Sequence, residues 1–272
     1  MRGWKRGIAT IAIACCGAAP LSAQVDSVGR RPLFTWDDGV LAGAFALGTI
    51  AIRPLDKSVD AVMQRPDRQR NRFFKTSSRI VRTIAEPGSV IIGVGMYTTG
   101  RLANNDHLAA LGLHGTEALF VGEGVGTVLK DFFGRARPFV DSVPNPDDWQ
   151  LLRGLRRGGN YQSFPSGHAV AGFAAAAAVT AETSLWWPNA TWVVAPAMYG
   201  GAALIGLSRM YDNRHWASDV IMGAAIGTFA GIKIVRYSHE NPGNRVDKLL
   251  LNASFSPSDP SHISFSILPL FR

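Results

Sequence analysis

The stretch PSGHAVAGFAAAAAVTAET, residues Pro165–Thr183, sets the fold reading. Ser166 is a good helix N-cap, and the run from Ala169 to Ala181 is strongly helical by composition. Free N–H groups at a helix start bind anions, and Gly167 lets the backbone come close to a ligand. His168 falls in the first turn, placed to hand a proton to a leaving alcohol. Alone, the stretch is equally an ordinary capped helix with a surface histidine.

Two further stretches share its chemistry. Upstream lies Lys130-Asp131-Phe132-Phe133-Gly134-Arg135-Ala136-Arg137-Pro138. Lys130 and Arg137 are seven residues apart, two helical turns, and are expected on one helix face, with Pro138 ending the helix near Arg137. Arg135, between them, is read as a solvated surface charge. Downstream, Ser208-Arg209 precedes His215 and Asp219. The four-residue spacing of His215 and Asp219 puts them on one face if the segment is helical. A carboxylate bonded to one ring nitrogen fixes the tautomer and leaves the other as base or nucleophile. Histidine can form covalent intermediates. The guanidinium fork of arginine binds oxyanions through two parallel hydrogen bonds, and lysine adds a point charge. Lys130, Arg137 and Arg209 are the candidate anion ligands.

The pattern Lys-x6-Arg-Pro, Pro-Ser-Gly-His, Ser-Arg-x5-His-x3-Asp resembles the phosphatidic acid phosphatase type 2 and vanadium haloperoxidase superfamily. Eleven fixed positions between residues 130 and 219 match in order. The resemblance implies an all-α bundle around a phosphate pocket. It implies that His215 is a nucleophile that becomes phosphorylated, that Asp219 orients it, and that His168 is the general acid that later activates water. Lys130, Arg137, Ser166, Gly167 and Arg209 would bind the phosphoryl oxygens. It implies no metal or other cofactor in the phosphatase branch. The sequence shows no second His, Asp and Glu grouping that reads as a metal site.

Three activities are consistent with these residues. The first is hydrolysis of a phosphate monoester or diphosphate, with a phosphorylated lipid as the leading substrate class. The second is a soluble periplasmic acid phosphatase of broad range acting on small phosphate esters. The third is a haloperoxidase in which the same cations hold vanadate. A non-enzymatic helical phosphate-binding or scaffold protein would need degenerate motifs, and these are intact.

The formal charge is +8, and leaving out residues 1–23 with Arg2, Lys5 and Arg6 leaves +5. So modest an excess fits an anionic substrate or membrane surface and is too diffuse for nucleic acid. Residues 1–23 read as a signal peptide: a basic start, an apolar run from Ile8 to Leu21, and Ser22-Ala23 before Gln24. An uncleaved anchor is the alternative. Both cysteines, Cys15 and Cys16, lie in it, so a mature chain would carry no disulfide. Residues 24–245 form the expected helical domain. Residues 246–272 form a tail whose alternation at 252–256 and 263–267, around Pro257-Ser258-Asp259-Pro260-Ser261, reads as a short β-hairpin.

Six apolar segments are expected helices: Val40–Ile52, Ser89–Thr99, Leu108–Val128, Ala169–Thr183, Ala190–Leu207 and Trp216–Val235. A span needs about 20 mostly apolar residues. Only the third and the last two come close, and mean hydropathy is just +0.08. Membrane association is expected, with the pocket facing the periplasm, against the alternative of buried helices in a soluble periplasmic enzyme. The Arg- and Lys-rich stretch from Lys57 to Arg82 conflicts with this orientation, because the positive-inside rule would put it in the cytoplasm. Its apolar points Phe73, Phe74, Ile80, Val81 and Ile84 suit an interfacial helix, with a solvated charged helix as the equal alternative. The loop from Phe139 to Phe164, with Trp149, Arg153, Arg156 and Arg157, reads as a polar surface loop or a headgroup contact. Glu123, seven residues before Lys130, reads as a helix–helix contact, with a place facing the pocket as the alternative.

Overall fold

The computed structural model describes residues 34–251. The described chain is helical: α1 Trp36–Ile52, α2 Asp56–Met63, α3 Pro66–Gln69, α4 Arg72–Thr83, α5 Ser89–Leu102, α6 Asp106–Phe133, α7 Arg153–Arg157, α8 Gly167–Trp186, α9 Thr191–Tyr211, α10 Ala217–Glu240 and α11 Arg245–Leu250. Each of the six apolar segments lies mainly within one long helix. No strand occurs among the described residues. The signal-peptide segment and the expected hairpin lie outside them. Residues 246–250, placed in the tail by sequence, belong to α11, which Asn244 caps by accepting from the N–H groups of Val246 and Asp247.

Small residues set the packing. On α10, Gly223, Gly227 and Gly231 recur every fourth residue and face the alanine-rich α8. A Cβ on them would lie 2.5 Å from the Ser166 carbonyl oxygen, 2.3 Å from that of Val170 and 2.7 Å from that of Ala174, respectively. The two backbones therefore run parallel and touch, as small-xxx-small pairs do in lipid. α6 lies antiparallel to α8, with Gly122 and Gly126 against Val170. α5 packs on α6 through Gly93 and Gly112. The core gathers Ala118 and Leu119 of α6, Ala171, Ala174 and Ala178 of α8, and Val235 of α10.

Lipid-facing character follows from what is left uncovered. Trp36, Leu47 and Ile50 of α1, Phe120 and Val128 of α6 and Trp192 of α9 are all exposed. Among the described residues, four helical stretches are long and apolar enough to cross a membrane: Trp36–Met63, Gly167–Trp186, Pro188–Tyr211 and Ala217–Glu240. This corrects the length expected of the first, because α1 runs on through a 3-10 turn at Arg53–Leu55 into α2. Leu108–Val128 is not among the four. Its helix, α6, carries His114, Glu117 and Glu123. Exposed apolar surface on outer helices means a membrane-associated bundle, with α8 and α10 as its inner pair.

The long helices alternate between two ends. At one end meet the C-terminus of α6, the N-termini of α8 and α10, and the C-terminus of α9. Helices α2 and α3 and the basic α4 lie at this same end: Gln64 and Gln69 donate to the carbonyl of Tyr211, and Arg82 pairs with Asp212.

Gly227→Ala should push α8 and α10 apart and lower the thermal midpoint of the detergent-solubilised protein, with a cost of about 1–3 kcal/mol. Gly124→Ala, whose Cβ would meet nothing within 4 Å, should leave the midpoint unchanged or higher. Equal effects on intrinsic tryptophan melting curves would refute the close-packing account.

Candidate active site

Helix ends build the site. α6 does not continue to Pro138: Gly134 adopts the left-handed conformation (φ 55°, ψ 41°) and ends it after Phe133. A Cβ there would lie 2.2 Å from the Gln150 carbonyl oxygen. Lys130 and Arg137 therefore do not share a helix face, contrary to the sequence expectation. Lys130 stays on the last turn of α6, while Arg137 follows in an extended segment. The two still reach the same region from different directions.

Arg135 is the second correction. It is not a surface charge but has no solvent exposure. Its guanidinium donates to Asp219 Oδ1, to Asp56 Oδ2 at 2.7 Å, to Ser218 Oγ at 2.8 Å and to the Pro146 carbonyl at 2.8 and 3.0 Å. Its Cζ lies 4.5 Å from the Trp149 ring centroid and 5.4 Å from that of Trp216. Asp56 in turn accepts from the N–H and hydroxyl of Ser218, at 2.8 and 2.6 Å. A buried guanidinium with its donors engaged by two carboxylates fixes α2, the loop after α6 and the start of α10 to one another.

His215 lies just ahead of α10, and Asp219 is the third residue of that helix, so the pair does not share one helix. Asp219 accepts from Trp216 N–H at 2.9 Å and from Ser163 Oγ at 2.6 Å, which caps the helix and ties down the loop. His215 Nδ1 is 2.7 Å from the Ser163 carbonyl oxygen and 3.8 Å from Asp219 Oδ2. A carbonyl can only accept, so the ring proton is assigned to Nδ1, which leaves a lone pair on Nε2. The direct partner of the ring is thus a backbone carbonyl. Asp219 acts on it through that short loop and through its charge. Burial pushes the His215 pKa down to about 4, against the opposing pull of Asp219, and Arg137 adds to the depression. The imidazole is therefore neutral above that pH.

Arg137 Nη1 is 3.4 Å from His215 Nε2. Its position is fixed by donation to the carbonyls of Gly159 (2.6 Å), Arg214 (3.2 Å) and Gln162 (3.3 Å). Burial, with Arg214 and Arg209 nearby, lowers its pKa to about 10, so it stays cationic at neutral pH.

Ser166 occupies the N-cap position of α8, and its N–H donates to the Asp219 carbonyl at 3.0 Å. Its hydroxyl makes no capping bond: it is buried and has no partner among the described residues. Arg209, in the last turn of α9, pairs with Asp212 at 3.1 Å, yet its Nε is buried and unpartnered. Lys130 Nζ pairs with Glu123 at 3.6 Å and lies 2.5 Å from where a Gly167 Cβ would stand. A side chain at position 167 would thus have to displace the end of the lysine from the helix start. Glu123 faces this region and meets the start of α8 there.

His168 lies in the field of Arg209, His215 and Lys130. Its Nδ1 is 3.2 Å from Glu86 Oε2, a carboxylate that sequence reading did not single out. Glu86 sits at the break between α4 and α5, with extended φ/ψ inside an otherwise helical run. Burial and neighbouring Glu123 raise its pKa, against Lys130, Arg209 and Arg137. The only local hint of Glu86 is the Glu-Pro-Gly break, and for Asp56 and Ser163 there is none. Arg153, by contrast, is structural: it donates to the Gly134 carbonyl at 2.7 and 2.9 Å and to Asp148 at 2.8 Å.

The eight residues expected from sequence thus converge on one end of the bundle. Residues 112–242 match the family model described as PAP2 superfamily. A segment of 72 residues is 42% identical to the lipid A 1-phosphatase of Porphyromonas gingivalis, spanning 25% of this chain and 15% of that protein's length. The crystal structure of the first transmembrane PAP2 type phosphatidylglycerolphosphate phosphatase from Bacillus subtilis shares the fold. Its TM-score is 0.52 at 19% identity, over 78% of this chain and 99% of that one. LpxE of Aquifex aeolicus aligns over 59% of this chain and 93% of its own, with a TM-score of 0.34 and 24% identity.

Arg135→Gln should lower stability sharply, by about 3–5 kcal/mol, because it leaves two buried carboxylates short of their cation. Adding Asp56→Asn should recover part of the loss. Strictly additive effects in the double-mutant cycle, read by thermal unfolding, would show that the two residues are uncoupled.

Proposed function

We propose that this chain, which matches the PAP2 superfamily model over residues 112–242, is a membrane phosphatase that hydrolyses a phosphorylated lipid through a phosphohistidine. The observation that carries the reading is a pair of buried, unpartnered donors, Ser166 Oγ and Arg209 Nε. They belong to the same end of the bundle as Lys130, Arg137 and the N–H groups opening α8. Unpartnered buried donors are costly unless a ligand accepts from them, and an oxyanion can accept from several at once.

Each step has a residue suited to it. The phosphoryl group of the substrate is held by Lys130, Arg137, Arg209, Ser166 and the backbone at Gly167. His215 Nε2, unprotonated and beside Arg137, attacks phosphorus: a P–N bond forms as the P–O bond to the alcohol breaks. His168 delivers its proton to the leaving oxygen. It then takes a proton from water, whose oxygen attacks the phosphohistidine and releases phosphate. Phosphoryl transfer depends mainly on positioning and charge stabilisation, which a rigid set of cations provides. Asp219 offsets the positive charge that grows on the His215 ring, and Glu86 does the same for His168.

A lipid is favoured over a small ester by what lies next to this end. An apolar cavity of about 570 Å³ is lined by Ile84, Ala85 and Ser89, which flank Glu86, by Gly172 one turn beyond His168, and by Ala202 and Ile205 of α9. An acyl chain entering it would hang from a headgroup at His168. Phe73, Phe74 and Ile80 project from the basic helix α4 at the same end, where they suit an interface with anionic lipid.

The expected result is phosphate release from a phosphatidic acid or a polyprenyl diphosphate in the presence of chelator, lost in His215→Ala together with phosphoenzyme. Release from a small soluble ester alone would move the reading to a broad acid phosphatase. Halide oxidation with added vanadate, and no hydrolysis, would replace it altogether.

The pocket end is further read as facing the periplasm. With Cys15 and Cys16 replaced by serine, Val143→Cys in the exposed loop of that end should react with a membrane-impermeant maleimide in cells whose outer membrane alone is permeabilised. Labelling only after complete lysis would reverse the orientation.

A further inference from the structure

The opposite end of the bundle holds a second group of ionisable side chains that the hydrolytic chemistry does not use. His114 is on α6, Glu182 on α8, His239 on α10, Asp247 on α11, and Glu117 one turn beyond His114. Glu182 is 14 residues along α8 from His168, about 21 Å at the helical rise. His114 and Glu182 are almost wholly buried, and so is Asp247.

Hydrogen bonding within this group is directional. Glu182 uses both oxygens: Oε1 is 2.5 Å from His114 Nδ1 and Oε2 is 2.8 Å from His239 Nε2. Asp247 Oδ2 accepts from Asn244 Nδ2 at 2.6 Å. What remains are His114 Nε2 and Asp247 Oδ1, both buried and neither with a hydrogen-bond partner, facing each other at 3.4 Å. With the ring proton on Nδ1, donated to Glu182, these are two lone-pair atoms opposed in a dry place. Such an arrangement is unfavourable unless something positive lies between them, either a second proton on the ring or a bound cation. Glu117 brings a carboxylate oxygen to within 4.8 Å of both.

We propose that His114 Nε2, Asp247 and Glu117 form a divalent transition-metal site, with zinc as its best-suited ion. Two ligand atoms at about 2.0–2.1 Å from a tetrahedral ion stand about 3.4 Å apart, which is the separation found here. One imidazole and two carboxylates suit zinc. Glu182 then supplies the outer hydrogen bond that orients a ligating histidine, and His239 holds Glu182 in turn. Spacing alone does not reveal the site, because its ligands come from α6 and α11, 130 residues apart in the chain. The ion would clamp α11, which follows the last long helix, onto α6. It would do so far from the phosphoryl chemistry, which stays chelator-resistant.

The test uses the full chain, purified in detergent without a histidine tag, stripped with chelator and titrated with zinc. Wild type should bind one equivalent by calorimetry and elemental analysis, and cobalt in its place should give visible d–d absorption. Asp247→Asn should lose that equivalent, and Glu117→Gln should weaken binding at least tenfold. Both variants should keep phosphate release, which also shows that they are folded. No stoichiometric zinc in the wild type would overturn the site, as would equal binding by Asp247→Asn. Stability of the stripped wild type that follows only pH, indifferent to zinc, would assign the cluster to a shared proton and equally overturn it.

Discussion

Arg135 brings a guanidinium to a point with no solvent exposure, where Asp56, Asp219, Ser218 and the Pro146 carbonyl take up its donors. Neither carboxylate would be tolerable there alone, and neither would the cation. Because the three arrive from α2, from the loop after α6 and from the start of α10, their mutual dependence fixes three separate pieces of chain. Asp219 passes this order on: it caps α10 through Trp216 and holds Ser163, whose carbonyl orients His215. The position of the candidate nucleophile is therefore determined by a charge pair it does not itself join. This agrees with the view that a precise site rests on its supporting shell as much as on its reacting groups.

The second constraint is the contact of α8 with α10. Without a hydrophobic driving force in lipid, helices adhere by close packing, and glycine every fourth residue on α10 gives the alanine-rich α8 the needed approach. Their starts are joined directly, by Ser166 N–H donating to the Asp219 carbonyl. Two helix N-termini then point at one place, and their partial positive charges favour an anion there. The separation of His168 from His215 is thus set by small residues that carry no chemistry.

Much of this was legible in the sequence, for a physical reason. Helices, their order and the convergence of Lys130, Arg137, Ser166, Gly167, His168, Arg209, His215 and Asp219 follow from apolar length and from motifs with fixed spacing. What was misread depended on backbone conformation or distant partners. Gly134 turns the chain out of α6, so a spacing argument that assumed a continuous helix failed for Lys130 and Arg137. Arg135 carries no local sign that Asp56, 79 residues earlier, will bury it. His215 and Asp219 straddle the start of a helix, so their 3.8 Å approach is joined by a hydrogen-bonded link through Ser163. Glu86 reaches His168 only because α4 and α5 are broken at that point.

The basic stretch before the site bears on orientation as well. The positive-inside rule counts Lys and Arg near the ends of spans, and Asp and Glu contribute little to it. Here Arg82 meets Asp212, the carboxylate that also takes up Arg209, and Ser78 donates to that same carboxylate at 2.7 Å. Arg53, just before the stretch, pairs with Asp147 in the loop between the first two motifs. These charges form part of the wall of the end proposed to bind an anion, and the residues around them are those that a phosphate and a lipid surface would both select. A stretch chosen for the substrate is a poor witness to topology. This is why its charge count conflicts with a periplasm-facing pocket without deciding against it.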